Sequence, residues 1–254
     1  MPEVEHNDEP RLNAVLAGLE AVRFPCLDRP AVPYGAPPTQ ELIEWAMRFY
    51  ASVLLSHVRQ LLRTFLLAVR EGQKPSAFVL GRAIFELGAH ATLVYMTFEK
   101  RRGAQDFEGM WKLFDRATMG NQEMRQRGEL TPVGEEWAAP FHVNDAIRAL
   151  DAFFAKTGRD DKAAQVMYDT LSEHSHPNQG AFSQYYRFEE SPKGIRVVFL
   201  PLREDYSPPP FPEVCIGVAV SIHNGAALLE QAGDRQIANL VQRLMDKLDD
   251  GAHP

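Results

Sequence analysis

The feature that most constrains the fold is an apolar pattern of helical period that runs from Ile43 to Val69 without proline or glycine. Apolar residues recur there every three or four positions, as they do along one face of an α-helix. Thr39 precedes the pattern as a suitable N-cap, and Gly72 and Pro75 follow it as helix-ending residues. The pattern predicts one long helix, which needs other elements of the chain to cover its apolar face.

The rest of the chain is predicted to form more helices and one hairpin. The segment Ser76–Phe98 is the most apolar of them, but Arg82 and Glu86 inside it would be costly in lipid, so it is predicted to be a core helix. Residues rich in Val, Ile, Phe and Tyr flank a Pro-Lys-Gly turn and predict a β-hairpin near residues 185–200. Further helices are predicted at Arg11–Val22, Phe107–Arg127, Asn144–Lys156, Asp160–Ser175, Val214–Gln231 and Asp234–Leu248. The predicted fold class is mainly α, a multi-helix bundle with one short β-hairpin.

Two parts of the chain differ in character. Residues 1–38 are predicted to be an N-terminal arm with a short helix and a Pro-rich stretch, because closely spaced prolines exclude a helix. Residues 39–254 are predicted to be a single helical domain that contains the hairpin. Two cysteines are too few for a disulfide framework, and the acidic N-terminus does not resemble a signal peptide. A cytoplasmic protein is expected, and 20 arginines against 7 lysines are typical of a GC-rich bacterial genome.

Arg82, Glu86 and His90 recur at every fourth position of the second long helix and therefore form a polar stripe on it. Burial of an arginine and a glutamate is costly unless each finds a partner. One interpretation is a salt-bridge network that fixes helix packing. The other is a polar pocket lined by the stripe.

A second group of candidate site residues comes from the end of the predicted helix Asp160–Ser175: Tyr168, Ser172, His174 and His176. Tyr168 and Ser172 share a helix face, and Pro177 takes His176 out of helical geometry. Histidine near a helix C-terminus is favoured by the helix dipole, and it is also the commonest acid, base or metal ligand. Both interpretations remain open from the sequence.

These two segments resemble an uncharacterised bacterial helical family that combines an Arg-x-x-x-Glu helix with a Tyr-x-x-Leu-Ser-x-x-x-His-Pro segment. The matching residues are Arg82 and Glu86, then Tyr168, Leu171, Ser172, His176 and Pro177. The resemblance covers roughly the middle half of the chain. It implies that the two segments meet in space, and it implies no particular reaction.

Several kinds of chemistry lack their usual motifs. No histidine follows an arginine at the spacing of helical toxin and anti-phage nucleases, the nearest case being Arg82 and His90. A di-iron bundle needs two Glu-x-x-His motifs in core helices, and beside Glu173 and His176 the sequence offers such a pair only in its polar N-terminal tail. Nucleophile elbows and phosphate-binding glycine loops are absent from the sequence. Cys215 lies among aliphatic residues, as an inert buried thiol does. Neither a cofactor nor a metal is expected.

A stripe of four arginines is predicted on the first long helix: Arg48, Arg59, Arg63 and Arg70. Their most ordinary partners are acids of the same chain. Because guanidinium groups suit carboxylates and phosphates, the stripe is also a candidate interface for a protein partner or for self-association. Nucleic acid is an alternative that the net charge of −7 disfavours.

Two functions are compatible with these patterns. The first is a helical binding or regulatory protein of a bacterial stress or anti-phage defence system, with a polar site between two core helices. The second is a hydrolase that cleaves a phosphodiester, with His174 or His176 as general base and Arg82 as anion clamp. The absence of catalytic motifs favours the first, and the sequence does not decide whether the protein is an enzyme.

Overall fold

A computed structural model describes residues 8–31, 36–119, 141–175, 186–191, 194–199 and 209–249. These residues confirm a mainly α fold with one hairpin. The helices are α1 Asp8–Ala21, α2 Gln40–Arg70, α3 Lys74–Gly103, α4 Phe107–Met119, α5 Val143–Lys156, α6 Ala163–Ser175, α7 Phe211–Gln231 and α8 Arg235–Asp249. Strands β1 Tyr186–Ser191 and β2 Gly194–Phe199 pair antiparallel between α6 and α7, with Ser191 opposite Gly194 at the turn.

Most helix ends agree with the sequence signals. The hydroxyl of Thr39 accepts a hydrogen bond from the backbone N–H of Leu42 at 3.3 Å, as an N-cap should. Pro75 does not lie in the linker after α2 as expected. It occupies the first turn of α3, where the missing N–H of proline has no helical partner to lose. The same effect explains why α7 begins before Val214, with Pro212 in its first turn.

Helix α7 lies at the centre of the molecule, in contact with α2, α3 and α8. The main core fills the space between these helices and also takes in one side of α1 and α4. From α1 it contains Leu12, Val15 and Leu19, each almost fully buried. A second apolar cluster joins α5 and α6 to the other side of α3, around Phe85 and Leu150. The fold therefore places α3 between two cores.

Helices α3 and α7 cross in backbone contact. A Cβ atom added to Gly88 would lie 2.7 Å from the carbonyl oxygen of Gly217, and one added to Gly217 would lie 2.8 Å from that of Ile84. Beside this crossing, the buried amide of Asn224 donates a hydrogen bond to the hydroxyl of Thr92 at 3.2 Å. Only glycine permits this approach, because any side chain would separate the two backbones.

Helices α2, α3 and α7 are long and apolar enough to cross a membrane, by length and composition. In this fold 39%, 56% and 56% of their most apolar windows are buried against other parts of the chain. Their apolar character therefore serves the protein core at least in part.

Candidate functional site

The structure brings together three of the predicted site residues, Arg82 and Glu86 of α3 and Tyr168 of α6. The Nε of Arg82 donates to a carboxylate oxygen of Glu86 at 2.7 Å, and its Nη2 donates to the hydroxyl of Tyr168 at 2.9 Å. The guanidinium carbon also lies 5.2 Å from the centroid of the Tyr168 ring. Burial alone would lower the pKa of Arg82, but the hydrogen bond and charge of Glu86 raise it above its ordinary value. The three side chains form one charge-compensated cluster that joins α6 to α3.

The stripe is less buried than the sequence indicated. The side chains of Arg82 and Glu86 remain 20% and 33% exposed, because α6 covers this face of α3 only partly. An ion pair in this environment contributes less than a fully buried one, since water still screens both charges. The ion pair of the first interpretation is present, but it is only partly buried.

His90 does not join this cluster. Its ring packs edge-on against Phe141, just before α5, at a centroid distance of 5.1 Å. The guanidinium of Arg116 from α4 lies 4.1 Å from the centroid of the same Phe141 ring. Burial, with the charge of Arg116, lowers the pKa of His90 to about 4. His90 is therefore a neutral packing residue at physiological pH.

The remaining predicted residues of α6 have different surroundings. Nδ1 of His174 lies 2.9 Å from the carbonyl oxygen of Thr170, and the imidazole stacks on Phe78 at 4.5 Å. For that hydrogen bond the proton must be on Nδ1, so His174 acts as a cap at the end of its helix. The Oγ of Ser172 is buried and has no hydrogen-bond partner among the described residues. His176 lies outside the described residues.

Three of the four arginines on α2 are paired within the chain. Arg63 donates two hydrogen bonds to one carboxylate oxygen of Glu20 in α1, at 2.6 and 3.1 Å. Farther along α2, Arg70 contacts Glu9 and Asn13 of α1. At the other end, Arg48 reaches the α7–α8 junction, where it contacts Asp234 at 3.3 Å and the carbonyl oxygen of Ala232. These contacts hold α1 and the junction against α2, and the interface role of the stripe stays a prediction.

Sequence reasoning missed an aromatic cleft between α2 and α4. Trp45 and Phe49 of α2 stack with their ring centroids 5.2 Å apart and their planes 7° apart. Trp111 of α4 faces the same cavity of about 200 Å³, which is also lined by Ala46, Phe114, Asp115, Thr118 and Arg29. The sequence signal was the i, i+4 spacing of Trp45 with Phe49 and of Trp111 with Asp115. That spacing does not reveal that the two helix faces meet.

Arg29 enters this cleft from the segment between α1 and α2. Its guanidinium carbon lies 5.8 Å from the centroid of Trp45 and 5.3 Å from that of Trp111, within the range of a cation–π interaction. Asp115 supplies a negative charge. Partial burial raises the pKa of Asp115, and the positive charge of Arg29 acts in the opposite direction. The cleft is therefore lined by aromatic rings and a carboxylate. It holds a cation of its own chain, the guanidinium of Arg29.

No protein family, characterised protein or solved structure matches the chain. The resemblance to a helical family with paired Arg-x-x-x-Glu and His-Pro segments stays a prediction.

Neither a grouped set of metal ligands nor an activated Cys215 is seen in the part of the chain that the structure describes. Within those residues no three His, Cys, Asp or Glu side chains are grouped as a metal site would require. Cys215 is a free thiol whose pKa is raised by burial to about 12, so it is protonated at neutral pH.

Proposed function

We propose that the protein is a binding protein whose ligand presents a cationic group to the aromatic cleft between α2 and α4. The observation that carries this proposal is the position of the Arg29 guanidinium within cation–π distance of both Trp45 and Trp111. The chain's own arginine therefore indicates that the cleft accepts a guanidinium group. Aromatic faces with a nearby carboxylate are a recurrent way for proteins to bind guanidinium and alkylammonium groups.

The electrostatics of the cleft support a cation in preference to a neutral or anionic ligand. The faces of aromatic rings carry partial negative charge, and two indoles within reach of one cation both attract it. Asp115 adds a full negative charge to the lining.

The hydrolase alternative has less support from the described residues. His90 is held neutral, with a pKa of about 4, and His174 is engaged by its own helix. Arg82, the proposed anion clamp, is already compensated by Glu86. The Arg82 cluster fits a bracing role between α3 and α6 better than a catalytic one. A hydrolytic activity through His176, and a role in a stress or defence system, stay predictions.

Intrinsic fluorescence tests the cleft directly. The chain has three tryptophans, so in a Trp137→Phe background the signal comes from Trp45 and Trp111 alone. In that background with Arg29→Ala, which empties the cleft, we expect Nα-acetyl-arginine amide to change the emission saturably. The matched control ligand is Nα-acetyl-citrulline amide, which has nearly the same shape and no charge.

The carboxylate offers a matched control variant. We expect Asp115→Asn to weaken binding of the arginine compound about five- to tenfold, because it removes the charge and keeps the shape. Equal binding of the citrulline compound, or no saturable change with either compound, would contradict a cation site.

A further inference from the structure

The segment from Phe24 to Ala31, between α1 and α2, is attached to the rest of the molecule by few contacts. Phe24 packs against the core, and Arg29 lies within cation–π distance of both indoles. Within this segment the structure shows no backbone hydrogen bond to the rest of the described chain. Most of its residues, Arg29 among them, are exposed. In the second half of the segment, Arg29 makes the ring contacts with the cleft.

Such an attachment is easily displaced. A cation–π contact at an exposed site is weak, even though the short tether keeps Arg29 at a high effective concentration near the cleft. The segment is extended around Arg29, since Pro30 follows it and disfavours helix at the preceding residue. The bound form of the segment is thus an extended chain that presents one arginine.

We propose that the cleft binds an arginine on an extended segment of a partner protein, and that Arg29 is a competitor built into the chain, which the partner displaces. The proposal rests on the cation site described above. The kind of partner follows from the occupant that the structure shows: an arginine with proline next to it, in a chain that forms no helix. Competition follows from geometry, because an external guanidinium on Trp45 and Trp111 would contact the same two rings that Arg29 contacts.

Competition makes a quantitative prediction about affinity. If Arg29 fills the cleft nine-tenths of the time or more, removal of its side chain raises the apparent affinity for an external arginine at least tenfold. The probe is a synthetic peptide of residues 24–31 of this chain with Cys26→Ser, titrated into the full-length protein in the Trp137→Phe background. We expect Kd for this peptide to be at least tenfold lower with Arg29→Ala than with Arg29 present.

Two controls accompany the titration. Arg23→Ala removes another exposed arginine that precedes the segment and hydrogen-bonds the carbonyl oxygens at the end of α1, so it should leave Kd unchanged. The peptide should also bind the Arg29→Ala protein at least threefold more tightly than Nα-acetyl-arginine amide does, because its neighbouring residues add contacts. Circular dichroism of each variant checks that the helices are intact.

The outcomes separate this inference from the proposed function. Binding of the peptide with the same Kd in both proteins would leave the cation site standing and overturn the competition. Peptide binding no tighter than that of Nα-acetyl-arginine amide would overturn the extended-segment partner. If the Arg29→Ala protein binds neither compound, the proposed function fails and this inference fails with it.

Discussion

At the scale of single residues, Arg82, Glu86 and His90 show what a periodic pattern can and cannot predict. Residues at every fourth position of an α-helix lie near one another, but each step adds 400°, so the direction drifts by about 40° per step. His90 is therefore turned by about 80° from Arg82. That drift directs Arg82 towards Tyr168 of α6 and His90 towards Phe141, before α5. The sequence predicted a common stripe, and the resemblance implied that the two segments meet, but neither could predict that the stripe divides between two neighbours.

The buried imidazole of His90 predicts sensitivity to acid. Its pKa is lowered from 6.5 to about 4 in the folded protein, so between these values the unfolded chain binds a proton that the folded chain does not. The contribution of this group to the free energy of unfolding is therefore fully present above pH 6.5. It decreases as the pH is lowered towards 4, by about 3 kcal/mol in total. We expect His90→Gln to lose less stability over this range than the wild-type protein does, measured by urea unfolding at a series of pH values.

The exposed His57 of α2 provides the control for this series. His57→Gln should retain the pH dependence of the wild-type protein, since an exposed imidazole has little effect on the folded state. A His90→Gln protein with the same slope of unfolding free energy against pH as the wild type would show that another group causes the acid sensitivity.

At the scale of helices, the contact between α3 and α7 depends on Gly217. An added Cβ would lie 2.8 Å from the carbonyl oxygen of Ile84 and 2.9 Å from the Cα of Phe85, and backbone atoms cannot move aside as a flexible side chain can. Overpacking of a core costs typically about 1 to 3 kcal/mol. For Gly217→Ala we expect the upper end of that range, measured as a lower midpoint of chemical denaturation.

Gly103, the last residue of α3, is the matched control. An added Cβ there meets nothing within 4 Å, so Gly103→Ala should leave the midpoint unchanged or raise it slightly. A midpoint for Gly217→Ala within error of the wild-type value would mean that the two helices can separate without loss, and that the close crossing is not needed for stability.

The arginine stripe on α2 also depends on how the helices pack against one another. The sequence predicted its position on one side of the helix, but its partners come from two distant segments. Glu9, Asn13 and Glu20 of α1 receive Arg70 and Arg63, because α1 packs lengthwise along α2. Periodicity cannot show which helix covers which face, since that depends on the complete set of tertiary contacts. Arg59 has no ion pair within the described residues, so a reversal of its charge alone would test the predicted interface without disturbing α1.

For the whole molecule, the sequence predicted the number, order and approximate ends of the described helices and the β-hairpin, because each depends on local periodicity and turn residues. It did not predict the aromatic cleft. Trp45 and Trp111 are 66 positions apart in the chain, and they meet only because α4 folds back onto α2. A cleft assembled from two helices and a loop has no local signal in the sequence beyond its aromatic residues.

The length and apolar character of α2, α3 and α7 raise the question of whether the whole chain enters a membrane. Insertion would separate these helices from α1 and α8 and break the pairs of Arg63 with Glu20 and of Arg48 with Asp234. It would also carry Arg82 and Glu86 into lipid, where charged groups are costly. The buried polar contact between Asn224 and Thr92 is already satisfied within the fold. A folded protein in water would keep all of these contacts, and its location in the cell stays a prediction.

We therefore expect the protein, expressed without fusion partners in bacterial cells, to remain in the supernatant after lysis and ultracentrifugation without detergent. A loosely attached protein is released from membranes by alkaline carbonate, whereas one that spans the bilayer stays in the pellet, because its helices are buried in hydrocarbon. A protein that pellets with membranes and resists carbonate would contradict the cytoplasmic prediction. It would also mean that the apolar faces of α2, α3 and α7 contact lipid in the cell and do not form the core described above.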